Sequence, residues 1–285
     1  MRSPFRMRDR ININNYSNLA QRIITAVIGA AIIIAGSVIS PWLYFIIFGL
    51  ILGFSQMEFY RLSGLDGMLP LKSFGTFLGI IIFTLSFLVG IGHLDHKFYF
   101  IIFPLASLVF FIKIYRKSDK KPFTGVAFTF LGIFYVAVPF ALLNVAAFSV
   151  DDGFHYEVIV GSLFILWASD TGAYFAGTKF GRTKLFERVS PKKSWEGFLG
   201  GAALAYLVAY ILSNYFNSIL EWQWLCIATI IIIAGTYGDL VESLFKRSIE
   251  IKDSGKLLPG HGGFMDRFDG LLLSAPFIAA FLKIF

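Results

Sequence analysis

WQWLCIATIIIIAGTYGDLVESLFK, residues 222–246, begins as an apolar run and ends as a charged helical face. Its length is close to the roughly 20 residues that carry an α-helix across a hydrocarbon core, so it reads as a spanning helix. At its end Asp239, Glu242, Ser243 and Lys246 recur at i, i+3, i+4 and i+7 and share one face, opposite Leu240 and Leu244. A solvated amphipathic end projecting past the bilayer would show the same pattern, so this segment speaks for the fold before it speaks for chemistry.

Comparable runs fill the rest of the 285 residues, which are 56% apolar and 15% charged with a mean hydropathy of +0.71. That profile belongs to a polytopic membrane protein and not to a soluble domain. Nine spans are expected, at 22–39, 41–61, 73–92, 97–115, 123–148, 156–178, 195–215, 222–246 and 264–285. Spanning strands are not expected, because an open sheet leaves unpaired backbone groups in lipid and no ten-residue alternation repeats. The fold class is therefore all-α, in one membrane-embedded unit: helices 1 to 5 over residues 1–150 and helices 6 to 9 over 151–285.

Charge orients the bundle. With the N-terminus cytoplasmic, only Lys97, Lys113, Arg267 and Lys283 of the 25 basic residues fall outside the cytoplasmic segments, while the acidic VDDGFHYE at 150–157 lies on the opposite side. The positive-inside rule then places the N-terminus in and the C-terminus out, as an odd helix count requires. The basic leader before residue 22 reads as an uncleaved anchor. Cys226, the single cysteine, precludes an internal disulfide and a cysteine-clustered metal site. His93, His96 and His155 fall in extracytoplasmic loops and take no role.

Acids inside spans are the informative residues. In FILWASDTGAYFAGTKFG, 164–181, Asp170 sits about 12 Å before the helix end. A charge there costs about 2.5–3.5 kcal/mol, so it faces a partner or a wet cavity. Gly172, Ala173, Ala176 and Gly177 around it permit close helix packing; an interhelical hydrogen bond without chemistry is the plain alternative. Asp266 and Asp269 open the last helix, where acids also suit the helix dipole.

Three helices thus bring carboxylates to one membrane face, and the loops of that face, SPKKSWEG at 190–197 and KDSGKLLPGHGGFMDRFD at 252–269, combine basic residues with glycines. Carboxylates hold hard Mg²⁺ together with substrate oxygens, and lysines and free N–H groups meet the remaining phosphate charge. Gly260, Gly262 and Gly263 around His261 allow close backbone approach to a ligand; His261 itself is equally readable as a phosphate donor or a loop-stabilising residue.

The run SLFKRSIEIKDSGKLLPGHGGFMDRFD, 243–269, resembles the signature of the phosphatidate cytidylyltransferases, the CDP-diacylglycerol synthases, at every fixed position. The resemblance extends more loosely to ASDTGAYFAG at 168–177, Gly181-Arg182 and SPKKSWEGFLGG at 190–201. It implies a membrane nucleotidyltransferase of phospholipid biosynthesis that makes CDP-diacylglycerol and pyrophosphate from CTP and phosphatidate, on the cytoplasmic face of the inner membrane. Its implied partners are CTP, phosphatidate and the bilayer, with no nucleic acid; a helix-mediated homodimer is compatible with the composition. Mg²⁺ is the implied cofactor, with room for a second monovalent or divalent cation.

On this resemblance Asp239 and Asp266 are expected as primary metal ligands, with Asp170, Glu242 and Asp269 as further ligands or orienting groups. Lys246, Arg267 and His261 join Asp239 and Asp266 as catalytic candidates, and Lys192, Lys193, Arg247, Lys256, Ser190, Gly262 and Gly263 as substrate-binding ones. Three other readings compete, among them a noncatalytic lipid-binding scaffold, for which clustered intramembrane acids would be an unexplained liability. Buried acids also serve cation transporters, although the far ends of these helices offer few acids and no internal repeat is evident. A membrane phosphotransferase using a CDP-alcohol or a polyprenyl phosphate would show similar charges.

Overall fold

The computed structural model describes residues 13–64, 67, 69–117, 119–150, 153–251, 254–255 and 263–285, with side chains from residue 23 onward. The helices in chain order are α1 Ile13–Ile39, α2 Pro41–Ser63, α3 Lys72–Gly90, α4 His96–Tyr115, α5 Pro122–Ala147, α6 Tyr156–Phe180, α7 Trp195–Tyr215, α8 Glu221–Ser248 and α9 Met265–Ile284. The expected runs match these to within two residues, except that α1 starts at Ile13 and not at residue 22. The apolar run locates the membrane-length part of α1 and is blind to the polar turns before it.

Seven of these helices, α2 to α8, are long and apolar enough among the described residues to cross a membrane. The other two fall short for different reasons: α1 has side chains described only over the apolar Ile23–Ile39, shorter than a span, and α9 carries Asp266, Arg267, Asp269 and Lys283. The chain is a helical membrane protein. It also contains one element the all-α expectation did not include, an antiparallel hairpin between α6 and α7 formed by β1 Lys184–Phe186 and β2 Ser190–Ser194.

Local chemistry sets several helix ends. Pro41 and Pro122 occupy first-turn positions, where a missing N–H costs nothing, and Ser40 caps α2 by accepting from the Trp42 N–H at 3.2 Å. Two helices contain a π-helical turn, Ile133–Ala137 in α5 and Ile231–Gly235 in α8. The first ends two residues before Pro139, which cannot donate to the preceding turn. The second ends just before Thr236 and re-aims the remainder of α8, which bears Asp239, Glu242 and Lys246.

In lipid, apolar burial discriminates weakly, so packing and interhelical hydrogen bonds hold the bundle. Tyr44 of α2 donates to Asn144 Oδ1 of α5 at 2.9 Å, and Asn144 donates to the Phe83 carbonyl and Ser86 Oγ of α3 at 3.0 and 2.7 Å. Nearer the other end, Gln56 donates to the Gly75 carbonyl at 3.1 Å and Tyr60 to the Thr129 carbonyl at 2.7 Å. These polar ties fix α2, α3 and α5 as one unit. By contrast α4 buries only Val109 and Lys113 among its described residues past Ile101 and lies at the edge.

Candidate active site

Small residues bring the acid-bearing helices together. A Cβ on Gly172 of α6 would lie 2.5 Å from the Gly200 carbonyl oxygen of α7, and one on Gly201 2.6 Å from that of Ser169. The seam expected around Asp170 is therefore a backbone-to-backbone contact. Asp170 itself is exposed, but into space inside the protein: it lines a cavity of about 310 Å³ together with Ser169, Lys192, Lys193, Thr236 and Asp239. The wet cavity, and not a simple interhelical hydrogen bond, is what its position provides.

The hairpin supplies the basic wall of that cavity. Glu196 in the first turn of α7 accepts from the Arg182 and Thr183 N–H groups, each at 3.1 Å, and Ser194 caps α7 by accepting from Gly197 N–H at 3.1 Å. Both ends of the hairpin are thereby tied to one helix start. Lys193 then reaches α8, with Nζ 2.5 Å from Asp239 Oδ2 and 3.4 Å from the Thr236 carbonyl. Lys192 lines the same cavity.

The other acids lie where α8 meets α9. Lys246 Nζ sits 3.2 Å from Glu242 Oε2 and 2.7 Å from Asp266 Oδ1. Asp266 uses its second oxygen as well, Oδ2 accepting from the Ser254 N–H at 3.1 Å, the Ser254 hydroxyl at 2.8 Å and the Gly263 N–H at 2.9 Å. Glu242 is fully buried and its Oε1 has no hydrogen-bond partner. Among the acids Asp269 acts on it most strongly, and Asp269 also lies within charge range of Asp239 and Asp170. Two buried carboxylates facing each other are unfavourable unless a proton or a cation lies between them.

Among the described residues no three His, Cys, Asp or Glu side chains converge tightly enough to enclose an ion by themselves. Mg²⁺ does not need that, since it keeps waters and takes substrate oxygens beside one or two carboxylates. The acids Asp170, Asp239, Glu242, Asp266 and Asp269 outnumber the neighbouring cations Lys192, Lys193, Lys246 and Arg267 by one. With Glu242 and Asp269 facing each other, that surplus suits a cation.

A second cavity, about 520 Å³ and mostly apolar, opens between α1, α6 and α9. Asp170 and Arg267 stand in its wall beside Trp167, Phe264 and Phe268, so Asp170 touches both spaces.

Several expected site residues lie apart. Arg247 is exposed and donates to the Ile251 carbonyl at 3.2 Å, which caps the end of α8. Ser190 begins β2 opposite Phe186, away from the cavity lining. Gly263 meets Asp266 through its N–H, whereas Lys256, His261 and Gly262 lie outside the described residues. Sequence reasoning missed Glu58 of α2, which is buried against α9 and accepts from Met265 N–H at 3.0 Å. A glutamate late in an apolar helix was the available signal.

The whole arrangement has relatives. The cytidylyltransferase family profile matches residues 20–285. The phosphatidate cytidylyltransferase of Haemophilus influenzae is 30% identical over 284 residues, covering 92% of this chain and 98% of its own. That of Staphylococcus saprophyticus is 32% identical over 262 residues, covering 90% and 96%. That of Bacillus subtilis is 36% identical over 156 residues, covering 50% and 58%. With carboxylates, lysines and two adjoining cavities gathered at one end of a helical bundle and a profile that spans nearly the entire sequence, the chain belongs to the cytidylyltransferase family.

Proposed function

We infer that this protein transfers the cytidylyl group of CTP to phosphatidate, giving CDP-diacylglycerol and pyrophosphate. The observation that carries the reading is the position of Asp170 between a polar cavity walled by Lys192 and Lys193 and an apolar one walled by α1 and α9. A soluble triphosphate suits the first and a lipid the second. The names of relatives aligned over nine-tenths of the chain supply the substrate pair.

Phosphatidate is close to a dianion at neutral pH, so its phosphate oxygen needs no strong base. That oxygen attacks the α-phosphorus of CTP, the new P–O bond forms, and the bond to the β-phosphate oxygen breaks to release pyrophosphate. The barrier lies in bringing anions together in line. Lys192 and Lys193 neutralise the triphosphate, and Lys246 and Arg267 the lipid phosphate. Asp239, Glu242 and Asp269 are the groups that would hold a divalent cation, with Asp170 beside them; when bound it neutralises charge and aligns phosphate oxygens. Asp266, the other expected ligand, orients Lys246, Ser254 and Gly263, and would add a carboxylate to the set that holds the cation.

The site opens to the cytoplasm of the inner membrane, with all nine helices spanning, the N-terminus in and the C-terminus out; the distribution of basic residues supports this. Two experiments test the reading. Purified protein offered CTP with phosphatidate should release pyrophosphate, and offered a CDP-alcohol should release no CMP; the reverse would assign it to the other phosphotransferase class. Cysteines placed at Lys121 and at Lys97 in a Cys226→Ala background should react with an impermeant thiol reagent from the cytoplasmic and opposite sides respectively, and the opposite labelling would overturn the orientation.

A further inference from the structure

Glu58 lies in α2, within the half of the chain that carries none of the expected site residues. It is 4% exposed. Its Oε2 accepts from the Met265 N–H at 3.0 Å, while Oε1 is buried and receives no hydrogen bond. Ser254 and the Phe264 N–H lie close to the carboxylate as well, and Asp266 repels it; a buried carboxylate is costly, and such costs persist where geometry is being enforced.

What it faces is specific. A Cβ on Gly255 would fall 1.8 Å from Glu58 Oε1, and one on Gly263 would fall 2.0 Å from it. Among the described glycines positive φ is confined to Gly67 and Gly92, so Gly255 and Gly263 are required by space and not by backbone conformation. These two glycines flank residues 256–262 in the sequence, and Met265 is the first residue of α9, directly before Asp266. For Gly255 the next contact after the carboxylate is Gly263 Cα at an ordinary 3.4 Å, so Glu58 alone sets the limit there.

We propose that Glu58 is a positioning residue for the transfer reaction: from α2 it seats Gly255, Gly263 and the first turn of α9, and so places Asp266 and Asp269 against α8. It acts through Met265, Gly255 and Gly263, and touches no reacting atom. The proposal rests on the activity inferred above, and α2 thereby becomes part of the site.

Kinetics of purified variants test it. Glu58→Gln keeps an acceptor for Met265 and should retain kcat near that of the unsubstituted protein. Glu58→Leu removes it and should lower kcat about 10- to 100-fold, with KM for CTP and phosphatidate little changed and the protein still eluting as a single species. Gly255→Ala should lower kcat comparably by displacing the carboxylate, and the Glu58→Ala/Gly255→Ala double variant should be no slower than Glu58→Ala alone. Undiminished kcat in Glu58→Leu, an effect confined to KM, or independent multiplication of the two substitutions would overturn the proposal. Amide exchange at Gly263 and Met265 reads the same positioning without turnover: faster exchange in Glu58→Leu supports it and unchanged exchange refutes it. Absence of cytidylyl transfer by the unsubstituted protein would instead sink the activity and leave this exchange result to stand.

Discussion

A methyl group on Gly238 would lie 2.4 Å from the backbone carbonyl oxygen of Asp269. At that point α8 and α9 touch backbone to backbone, one residue from Asp239 and at Asp269 itself, which is why the two acids share one charge field. A carbonyl cannot swing aside as a side-chain tip can. Gly238→Ala should therefore push the helices apart, lower stability by about 1–3 kcal/mol and reduce turnover at least about tenfold. Thermal melting in detergent and steady-state rates check this, and an alanine variant equal to the parent in both would show that the close approach is dispensable.

Asp266 and Asp269 should respond oppositely to amidation. Asp266 accepts from Lys246, Ser254 and Gly263, so Asp266→Asn breaks a half-buried ion pair and should cost about 3 kcal/mol. Asp269 instead faces Glu242, Asp239 and Asp170, so Asp269→Asn relieves repulsion and should melt no lower than the parent when chelator is present. Both variants should lose turnover. Equal destabilisation of the two would contradict the assignment of Asp269 to a repulsive cluster.

Metal dependence has a readout beyond rate. On the proposed assignment, Mg²⁺ at about 100 times its dissociation constant should stabilise the protein by about 2.7 kcal/mol, as any ligand held by the folded state alone does. That shift should vanish in Asp239→Asn. A chelator should abolish transfer and added Mg²⁺ restore it; a melting temperature indifferent to the ion would remove it from this cluster.

Lys193 pairs with Asp239 across the polar cavity. Lys193→Met should raise KM for CTP about tenfold or more and flatten the dependence of kcat/KM on ionic strength, since a charge that meets the triphosphate is lost. An unchanged KM would leave Lys193 as a partner of Asp239 only.

The membrane helices were legible because each hydrophobic run must match the bilayer, and α7 was placed at 195–215 from its apolar run alone. The carboxylates were legible for the same reason inverted, since lipid penalises an acid that has no use. The hairpin was not: β1 has three residues, neither sequence alternates apolar and polar, and its ends are tied to the next helix through Glu196 of that helix and through Ser194, the last residue of β2, which caps it. Glu58 was hidden by distance, its bond to Met265 joining residues 207 apart in the chain. Spacing placed Asp239 and Lys246 on one face, but could not tell that Lys246 would clasp Asp266 while Lys193 took Asp239.

The most direct test is cytidylyl transfer itself. Detergent-solubilised protein given CTP labelled in the cytidine, phosphatidate and Mg²⁺ should move label into lipid and release one pyrophosphate for each lipid labelled, while a folded Asp239→Asn variant should transfer almost none. Label remaining wholly in the aqueous phase with the parent protein, or near-parental transfer by Asp239→Asn, would contradict the account.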